Sequence, residues 1–339
     1  MSPYNPVLVE VSRSDAVESE HRGRALVMSS EGAVLWSTGD TDALTYPRSA
    51  IKAFQALPMT ASGAADSKVL SDEELALCCA SHNGEARHIE VADRFLRRLG
   101  LEEAAFECGT HWPMGQQATI DLAWQQHKPD ARHNNCSGKH LGMLALAVHE
   151  GWPVEGYVKP EHPVQQAIRR CIEECCDTSL EGLPLSPDGC TAPTWAMPLH
   201  RLALGFARFA DPEQLPERYR DGAQRLYKAV VKHPFMVAGT DRYCSEVMAA
   251  LGDKAFLKVG AEGVYVASIP SLKVGVAIKM DSGSAPAAEV AMSAILMKLG
   301  LEVPAKWQAP EVRNRNDILT GHMRPVTGAF EGIAGVHGR

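Results

Sequence analysis

Apolar and polar positions alternate over the first 45 residues, which predicts β-strands. Val7-Leu8-Val9-Glu10-Val11 alternates, and the apolar segments 24–28 and 33–36 flank Ser29-Ser30-Glu31-Gly32, a cluster of turn-forming residues. Two apolar segments on either side of a short turn that contains glycine are typical of an antiparallel hairpin. We therefore expect the chain to begin in a β-sheet.

Between residues 49 and 251 the apolar positions recur at spacings of three and four, which is the period of an α-helix. The segments with this period are 72–80, 88–99, 120–127, 140–150, 163–176, 199–210 and 216–231. Ser71 stands three positions before Glu74, which is the pattern of a capping box at a helix start. The middle of the chain is therefore predicted to be mostly helical.

Near residue 255 the apolar period returns to two. The segments 255–259, 263–268 and 273–279 predict three strands joined by short turns, and 287–299 predicts a helix. The last forty residues are rich in Pro, Arg and Gly, so we expect irregular chain there.

This order of elements predicts an α/β (α+β) fold in which residues 1–339 form a single domain with two lobes. A sheet lobe, approximately 1–48 and 252–339, would join the N- and C-terminal strands in one antiparallel sheet with the terminal helix packed on it. A mostly helical lobe, approximately 49–251, would form the rest, and a ligand site is expected in the groove between the lobes.

Composition and charge exclude some classes of partner. Hydrophobic residues make up 45% and charged residues 22% of the 339 positions, which is ordinary for a globular protein. A formal net charge of −7 argues against nucleic acid as the main partner. No uninterrupted apolar run approaches about 18 residues and no basic start precedes an apolar one, so we expect a cytoplasmic protein with no membrane partner.

Ser49-Ala50-Ile51-Lys52 is the first of three short motifs that suggest serine–lysine chemistry. On a helix the lysine would lie one turn after the serine, on the same face. A lysine can activate a serine hydroxyl only if burial or a neighbouring cation lowers the lysine pKa. Taken alone, so short a motif favours the ordinary interpretation, a helix cap followed by a solvated lysine.

The other two motifs are Ser81-His82-Asn83 and Lys258-Val259-Gly260. Serine–lysine acyltransferases place a second serine, followed closely by Asn, across from the nucleophile, and a K-x-G on a strand near the chain's end. The glycine would leave room for substrate beside the strand. Each motif alone also suits an ordinary role, a capping cluster or an outward lysine on an edge strand. All three in this order favour the catalytic interpretation.

Two of the nine cysteines lie in polar loops rich in turn-forming residues. Cys136 comes directly before a predicted helix and three residues before Lys139, and Cys190 follows Asp188 by two. A helix N-terminus and a nearby lysine favour a thiolate. Two thiolates, a third ligand and an open water position would suit zinc. Because no C-x-x-C is present, two unrelated loop thiols remain the alternative.

Together these segments resemble the thermolabile asparaginase family of rhizobia, and the likeness runs through most of the chain. The most specific pieces are 133–140, His-Asn-Asn-Cys-Ser-Gly-Lys-His, and Asp188-Gly189-Cys190, with 80–85 and 239–242 also similar. The resemblance implies a fold like that of serine β-lactamases and glutaminases. It also implies a homodimer that hydrolyses L-asparagine to L-aspartate and ammonia.

The resemblance further implies roles for individual residues. Ser49 with Lys52, and Ser81 with Lys258, would form two catalytic serine–lysine pairs. The residues implied to hold Zn²⁺ are Cys136, Lys139 and Cys190. Those assigned to substrate binding are Arg48, His82, Asn83, Asp188 and Glu262.

Other functions stay open at this point. A glutaminase or a penicillin-recognising hydrolase on the same fold is one alternative, since one methylene in a pocket changes affinity by only ~1–3 kcal/mol. A non-catalytic zinc or redox sensor is another. It would use Cys136 and Cys190, while the serines only cap helices.

Overall fold

The computed structural model describes residues 5–333. The strands are β1 Val7–Arg13, β2 Ala16–Ser29, β3 Val34–Thr38, β4 Leu44–Thr45, β5 Leu185–Pro187, β6 Pro193–Trp195, β7 Met197–Pro198, β8 Phe256–Val259, β9 Val264–Ile269, β10 Val274–Met280, β11 Glu311–Arg313 and β12 Leu319–Pro325. The α-helices are α1 Lys52–Ala61, α2 Ala64–Ser67, α3 Asp72–Cys78, α4 Ala86–Leu99, α5 Gln116–Trp124, α6 Ser137–Glu150, α7 Pro163–Cys175, α8 Leu199–Ala210, α9 Glu217–Lys232, α10 Pro234–Val237, α11 Tyr243–Leu251, α12 Ala285–Lys298 and α13 Ala305–Gln308. Among these helices, none is long and apolar enough to cross a membrane.

The described chain divides into two compact units. Of the described residues, 5–50, 197–211 and 250–333 form a sheet unit. A helical unit takes its residues from Ile51–Ala196 and Pro212–Ala249.

The sheet unit is built on one antiparallel sheet with the strand order β11-β12-β1-β2-β10-β9-β8, and β3 also pairs with β2. The predicted hairpin is confirmed, because β2 pairs with β3 around Val27 and Trp36, and the Ser29 amide donates to the Ala33 carbonyl at 2.9 Å. On its other side β2 pairs with β10. The expectation that the first and last strands share one antiparallel sheet is therefore confirmed.

The expectation of irregular chain over the last forty residues is wrong in part, because β11 and β12 extend the sheet beyond β1. A Cβ at Gly321 would lie 1.8 Å from the Ser12 carbonyl oxygen, so only glycine allows this close pairing. Ser12 and His322, which are hydrogen-bonded here, are 310 positions apart. Local composition cannot reveal a strand whose partner is so distant.

Two helices cover the sheet of this unit. The predicted C-terminal helix, α12, packs on β9 and β10 as expected. Helix α8 packs on β2, β9 and β10 as well, although its position between helical segments suggested the helical lobe. Gly275 of β10 makes this contact close, since a Cβ there would lie 2.3 Å from the Ala203 oxygen and the Ala207 nitrogen.

In the helical unit, α1 is the central helix. Residues 52–60 are all buried, and α1 packs against α6, α7 and α9. The helices predicted in this unit are confirmed, each beginning and ending within four residues of the expected positions. Because α1 is enclosed by other helices, its first residue, Lys52, starts inside the core of this unit.

The predicted capping box at the start of α3 is also confirmed. The Ser71 side chain accepts from the Glu74 amide, and the Glu74 carboxylate accepts from the Ser71 amide at 2.7 Å. Glu74 is buried and also pairs with Arg94 and Arg98 of α4. The box therefore fixes the start of the helix that leads into residues 79–84.

We predict that Ser71→Ala lowers the free energy of unfolding by about 1 kcal/mol, because the amide of Glu74 loses its acceptor. Ser71→Thr keeps the hydroxyl and serves as the matched control, with stability near that of the wild type. Denaturant unfolding measures both. Equal stability of the Ala and Thr variants would argue against the role given to this cap.

Candidate active site

Ser49 lies in a 3₁₀ helix, Arg48–Ile51, that leads directly into α1 at Lys52. The turn is closed by a hydrogen bond from the Ala50 amide to the Pro47 carbonyl at 3.0 Å. Arg48 has φ +50°, in the left-handed region where a residue with a side chain is strained. The predicted nucleophile therefore follows a strained residue at the start of a helical run.

Lys258 and Gly260 lie at the end of β8, in the same unit as Ser49. Lys258 is fully buried, and its Nζ donates to the Val259 carbonyl at 2.7 Å. A Cβ at Gly260 would lie 2.6 Å from the Pro47 oxygen and 3.2 Å from the Ala50 Cβ. The space beside this glycine, expected to be left for substrate, is thus taken by the backbone that carries Ser49.

Lys52 is fully buried at the first position of α1. Its Nζ donates to the Ser81 Oγ at 3.1 Å, to the Asn135 carbonyl at 3.5 Å and to the Ala80 carbonyl. The structure therefore joins the lysine of the first motif directly to the serine of the second.

The chain around Ser81 is held extended by backbone hydrogen bonds that alternate in direction. The amides of Ser81 and Asn83 donate to the carbonyls of Val237 and Ala238 at 2.9 and 2.8 Å, and the His82 amide donates to the Asn135 carbonyl at 3.2 Å. In an extended segment, side chains two residues apart share a face. Ser81 and Asn83 therefore share one face, opposite to His82.

His82 has both ring nitrogens engaged by the protein. The Gly84 amide donates to Nδ1 at 3.1 Å, so the ring hydrogen is on Nε2, which lies 2.9 Å from the Ser137 Oγ. Burial, and then the positive charge of His88 and Lys52, hold the pKa of His82 well below its usual value. A neutral His82 thus fixes the 81–84 segment to the start of α6. Its contact with substrate stays a prediction.

Asn83 joins two of the segments on which the family resemblance rests, 80–85 and 239–242. Its Nδ2 donates to the Glu85 Oε1 and to the Thr240 carbonyl, both at 3.0 Å. Its Oδ1 accepts from the Arg242 Nη1 at 2.8 Å. Gly239, with φ +117°, makes this possible, because a Cβ there would lie 2.4 Å from the Glu85 Oε1. Asn83 is therefore held in one orientation.

The two loop cysteines and Lys139 meet in the helical unit. Cys136 precedes α6, Lys139 lies in its first turn, and Cys190 lies between β5 and β6. The Lys139 Nζ donates to the Cys190 Sγ at 2.8 Å, and the thiol of Cys136 is hydrogen-bonded to Cys190. None of the three is more than 4% exposed. The residues predicted to hold a metal are thus assembled in one buried cluster.

The three side chains of this cluster differ in protonation state. The hydrogen bond from Cys136, and then the cations of Lys139 and Lys52, lower the pKa of Cys190 to about 4 against the opposing effect of burial. The same hydrogen bond and burial raise the pKa of Cys136 to about 11. Burial alone disfavours a charged Lys139, but Cys190, Cys136 and Asp188 raise its pKa. Without metal, the cluster holds a thiolate, a thiol and an ammonium group.

This donor set fits zinc. Two sulfurs and one nitrogen leave a fourth tetrahedral position open, as in catalytic zinc sites. The Lys139 amine, 2.8 Å from the Cys190 Sγ, is the nitrogen donor beside the two sulfurs. Within residues 5–333 no group of three His, Cys, Asp or Glu side chains is placed to hold a metal ion. Cys136 and Lys139 would each lose a proton on coordination, as metal ligands must.

The remaining predicted substrate residues lie in turns. Asp188 is half-buried, and its Oδ1 accepts from the Gly189 amide at 2.8 Å. Glu262 is exposed between β8 and β9 with φ +60°, and its carboxylate lies against Gly283.

Sequence patterns missed two groups that the structure places here: the carbonyl of Asn135, which accepts from Lys52 and His82, and the hydroxyl of Ser137. The turn-forming pair Asn134-Asn135 before α6 was the only local indication.

Sequence comparison shows that this chain is an amidohydrolase of the asparaginase type. Residues 9–328 match the L-asparaginase II family, and the chain belongs to that family. No curated protein matches the sequence.

Similar solved structures include a β-lactamase from Mycobacterium bovis, with 12% identity and a TM-score of 0.42 over 81% of this chain and 94% of that one. Another is a putative β-lactamase from Bacteroides dorei, with 12% identity and a TM-score of 0.39 over 76% and 84%.

We predict that Gly138→Ala destabilises the protein by about 2–3 kcal/mol, because overpacking a tight contact costs this much. A Cβ at Gly138 would lie 2.0 Å from the Leu77 carbonyl oxygen, so α6 would have to move away from α3 and take Cys136 and Lys139 with it. Denaturant unfolding measures the loss.

Gly142→Ala on the same helix is the matched control. A Cβ there would meet the Cys78 Sγ at 3.2 Å, and this side chain can yield. The helix propensity of alanine offsets the contact by up to about 1 kcal/mol, so near-normal stability is expected. Equal losses from both substitutions would contradict the role given to Gly138.

Proposed function

We propose that this protein hydrolyses L-asparagine to L-aspartate and ammonia through an acyl-enzyme on Ser49. The observation that carries the proposal is the buried Lys52 amine, 3.1 Å from the Ser81 hydroxyl and at the first residue after the helical turn of Ser49. Its hydrogen-bond partners are a hydroxyl and two carbonyls. A lysine in such surroundings is suited to exchange protons with serine hydroxyls.

In the first half-reaction, the side-chain amide of L-asparagine lies against Ser49. Lys52, in its neutral form, takes the hydroxyl proton while Ser49 attacks the amide carbon. Backbone N–H groups at the helix start are suited to stabilise the oxyanion. Ser81, paired with Lys258, passes a proton to the leaving nitrogen, and ammonia departs. The contact of Gly260 with the Pro47–Ala50 turn supports this role, since it brings β8, which carries Lys258, against the Ser49 segment.

In the second half-reaction, water hydrolyses the aspartyl ester. The same lysine–serine groups take the proton of the water and return one to Ser49, which releases L-aspartate. No group outside the proposed set is needed for the protons to balance.

Cys136, Lys139 and Cys190 are proposed to hold Zn²⁺ next to these groups. When bound, the ion would offer its open position to the carboxylate group of the substrate or to its α-amino group as a neutral amine. The proximity of the two sets supports this, because the Lys52 charge acts on both thiols and Asn135, which accepts from Lys52, precedes Cys136. The proposed substrate contacts are Arg48, His82, Asn83, Asp188 and Glu262.

The resemblance suggests a homodimer, and the sequence pattern suggests a cytoplasmic location. Both stay predictions, as does selectivity for asparagine over glutamine.

Ser49→Ala is expected to lower ammonia release from L-asparagine by at least about a thousandfold, because no other hydroxyl takes over the attack. Ser81→Ala should lower ammonia release by less, about 10²-fold, which is the low end of the effect of losing a proton-transfer group. Coupled ammonia assays with L-asparagine and L-glutamine, alongside thermal unfolding, measure this. Near-normal turnover by a folded Ser49→Ala protein would rule out the assignment.

Cys136→Ser and Cys190→Ser are expected to lose bound zinc, measured by metal analysis and by competition with a chelator. The loss in affinity should exceed the 10–100-fold typical of groups that only orient a ligand. Cys171→Ser is the matched control, since Cys171 is a buried thiol on α7 whose neighbouring titratable groups are Cys175, Cys176 and Glu174 and not the proposed ligands. Zinc retained at full affinity by both ligand variants would contradict the site.

A further inference from the structure

Two arginines line one cavity of about 1310 Å³ in the helical unit, and their surroundings differ. Arg132 is neutralised by two carboxylates: Nη1 lies 3.0 Å from the Asp93 Oδ1, and Nη2 lies 2.6 Å from the Asp130 Oδ2. Its charge is therefore satisfied within the protein.

Arg242 has no such partner. It is half-buried, its Nη1 donates to the Asn83 amide oxygen at 2.8 Å, and it forms no ion pair with any residue in the described range 5–333. An amide oxygen orients a guanidinium group without neutralising it. A guanidinium offers paired N–H donors that match a carboxylate. Because the lining also carries the carboxylates of Glu85, Glu90, Asp93, Asp121 and Asp241, the remaining donors of Arg242 suit the carboxylate of a zwitterionic ligand.

The position of Arg242 relates this cavity to the proposed chemistry. Asn83, which holds Arg242, also lines the cavity and shares a face with Ser81, two residues earlier and about 7 Å along an extended chain. Ser81 in turn is bonded to Lys52. A cation is therefore held at one end of a short row of polar side chains whose other end is the serine–lysine pair.

We propose that Arg242 binds the α-carboxylate of the substrate and that Asn83 orients its guanidinium group. This inference rests on the proposed function, because it takes the serine–lysine end as the place of the scissile amide. A four-carbon amino acid carries the amide and the carboxylate at opposite ends, which matches this arrangement. Arg242 would thus select free amino acids over compounds that lack the carboxylate, and would leave the α-amino group to other contacts.

The test compares two substrates, L-asparagine and 3-aminopropanamide, which is asparagine without its α-carboxylate. Arg242→Gln should lower kcat/KM for L-asparagine by about 10–100-fold, mainly through KM, as expected for loss of a charge-assisted hydrogen bond. It should leave kcat/KM for 3-aminopropanamide unchanged. Arg242→Lys, which keeps the charge, should recover part of the loss.

Arg132→Gln is the matched control in the same cavity. With this variant, the ratio of kcat/KM for L-asparagine to kcat/KM for 3-aminopropanamide should stay as in the wild type. Equal losses for both substrates with Arg242→Gln would show a purely structural role and overturn the inference, as would no loss for either.

Calorimetry with L-aspartate separates this inference from the proposed function. If wild type releases no ammonia, the proposed function fails, whereas weakened L-aspartate binding by Arg242→Gln alone still supports the carboxylate site. Unchanged L-aspartate binding by that variant would overturn it.

Discussion

The positions of the proposed functional residues in the helical unit depend on the hydrogen bonds of the buried Lys52 amine. This amine stands at the start of the central helix and bonds to three groups from two other segments, Ala80 and Ser81 on one side and Asn135 on the other. An amine placed in a core must find such partners, because an unsatisfied buried polar group is costly. The extended chain at 81–84 and the loop before α6 are therefore fixed by the same group.

The loop before α6 connects the hydrogen-bond partners of Lys52 to the thiol cluster. Asn135 accepts from Lys52 and from the His82 amide, and the next residue, Cys136, donates to the Cys190 thiolate. Gly138 lets the start of α6 approach Leu77. Two lysines thus enclose a thiolate, while burial keeps neighbouring histidines uncharged: the pKa of His140 falls to about 3 through burial and then Lys139.

Local patterns in the sequence predicted those features that depend on neighbours in the chain. The capping box of Ser71 and Glu74, the hairpin around residue 30 and the helix after Cys136 all follow from spacing or turn residues within a few positions. The periodicity also predicted one sheet made of first and last strands. These elements could be predicted because each is stabilised mainly by its own residues and by which face it buries.

Features stabilised by distant partners could not be predicted in this way. Strand β12 forms because β1 offers it an edge, and α8 lies on the sheet because Gly275 leaves room for it. The contact of Lys139 with Cys190 spans 51 positions, and that of Arg242 with Asn83 spans 159. The family resemblance suggested the first of these contacts. The second, and the carbonyl of Asn135, required the folded chain.

The central claim, that Ser49 is the nucleophile, is tested most directly by trapping the acyl-enzyme. Acid quenching of the Ser81→Ala variant during turnover of L-asparagine, followed by peptide mass spectrometry, would locate the aspartyl group. We expect one aspartyl ester on the peptide that contains Ser49, and none when Ser49→Ala is added. An ester on another residue, or turnover without any adduct in either protein, would contradict it.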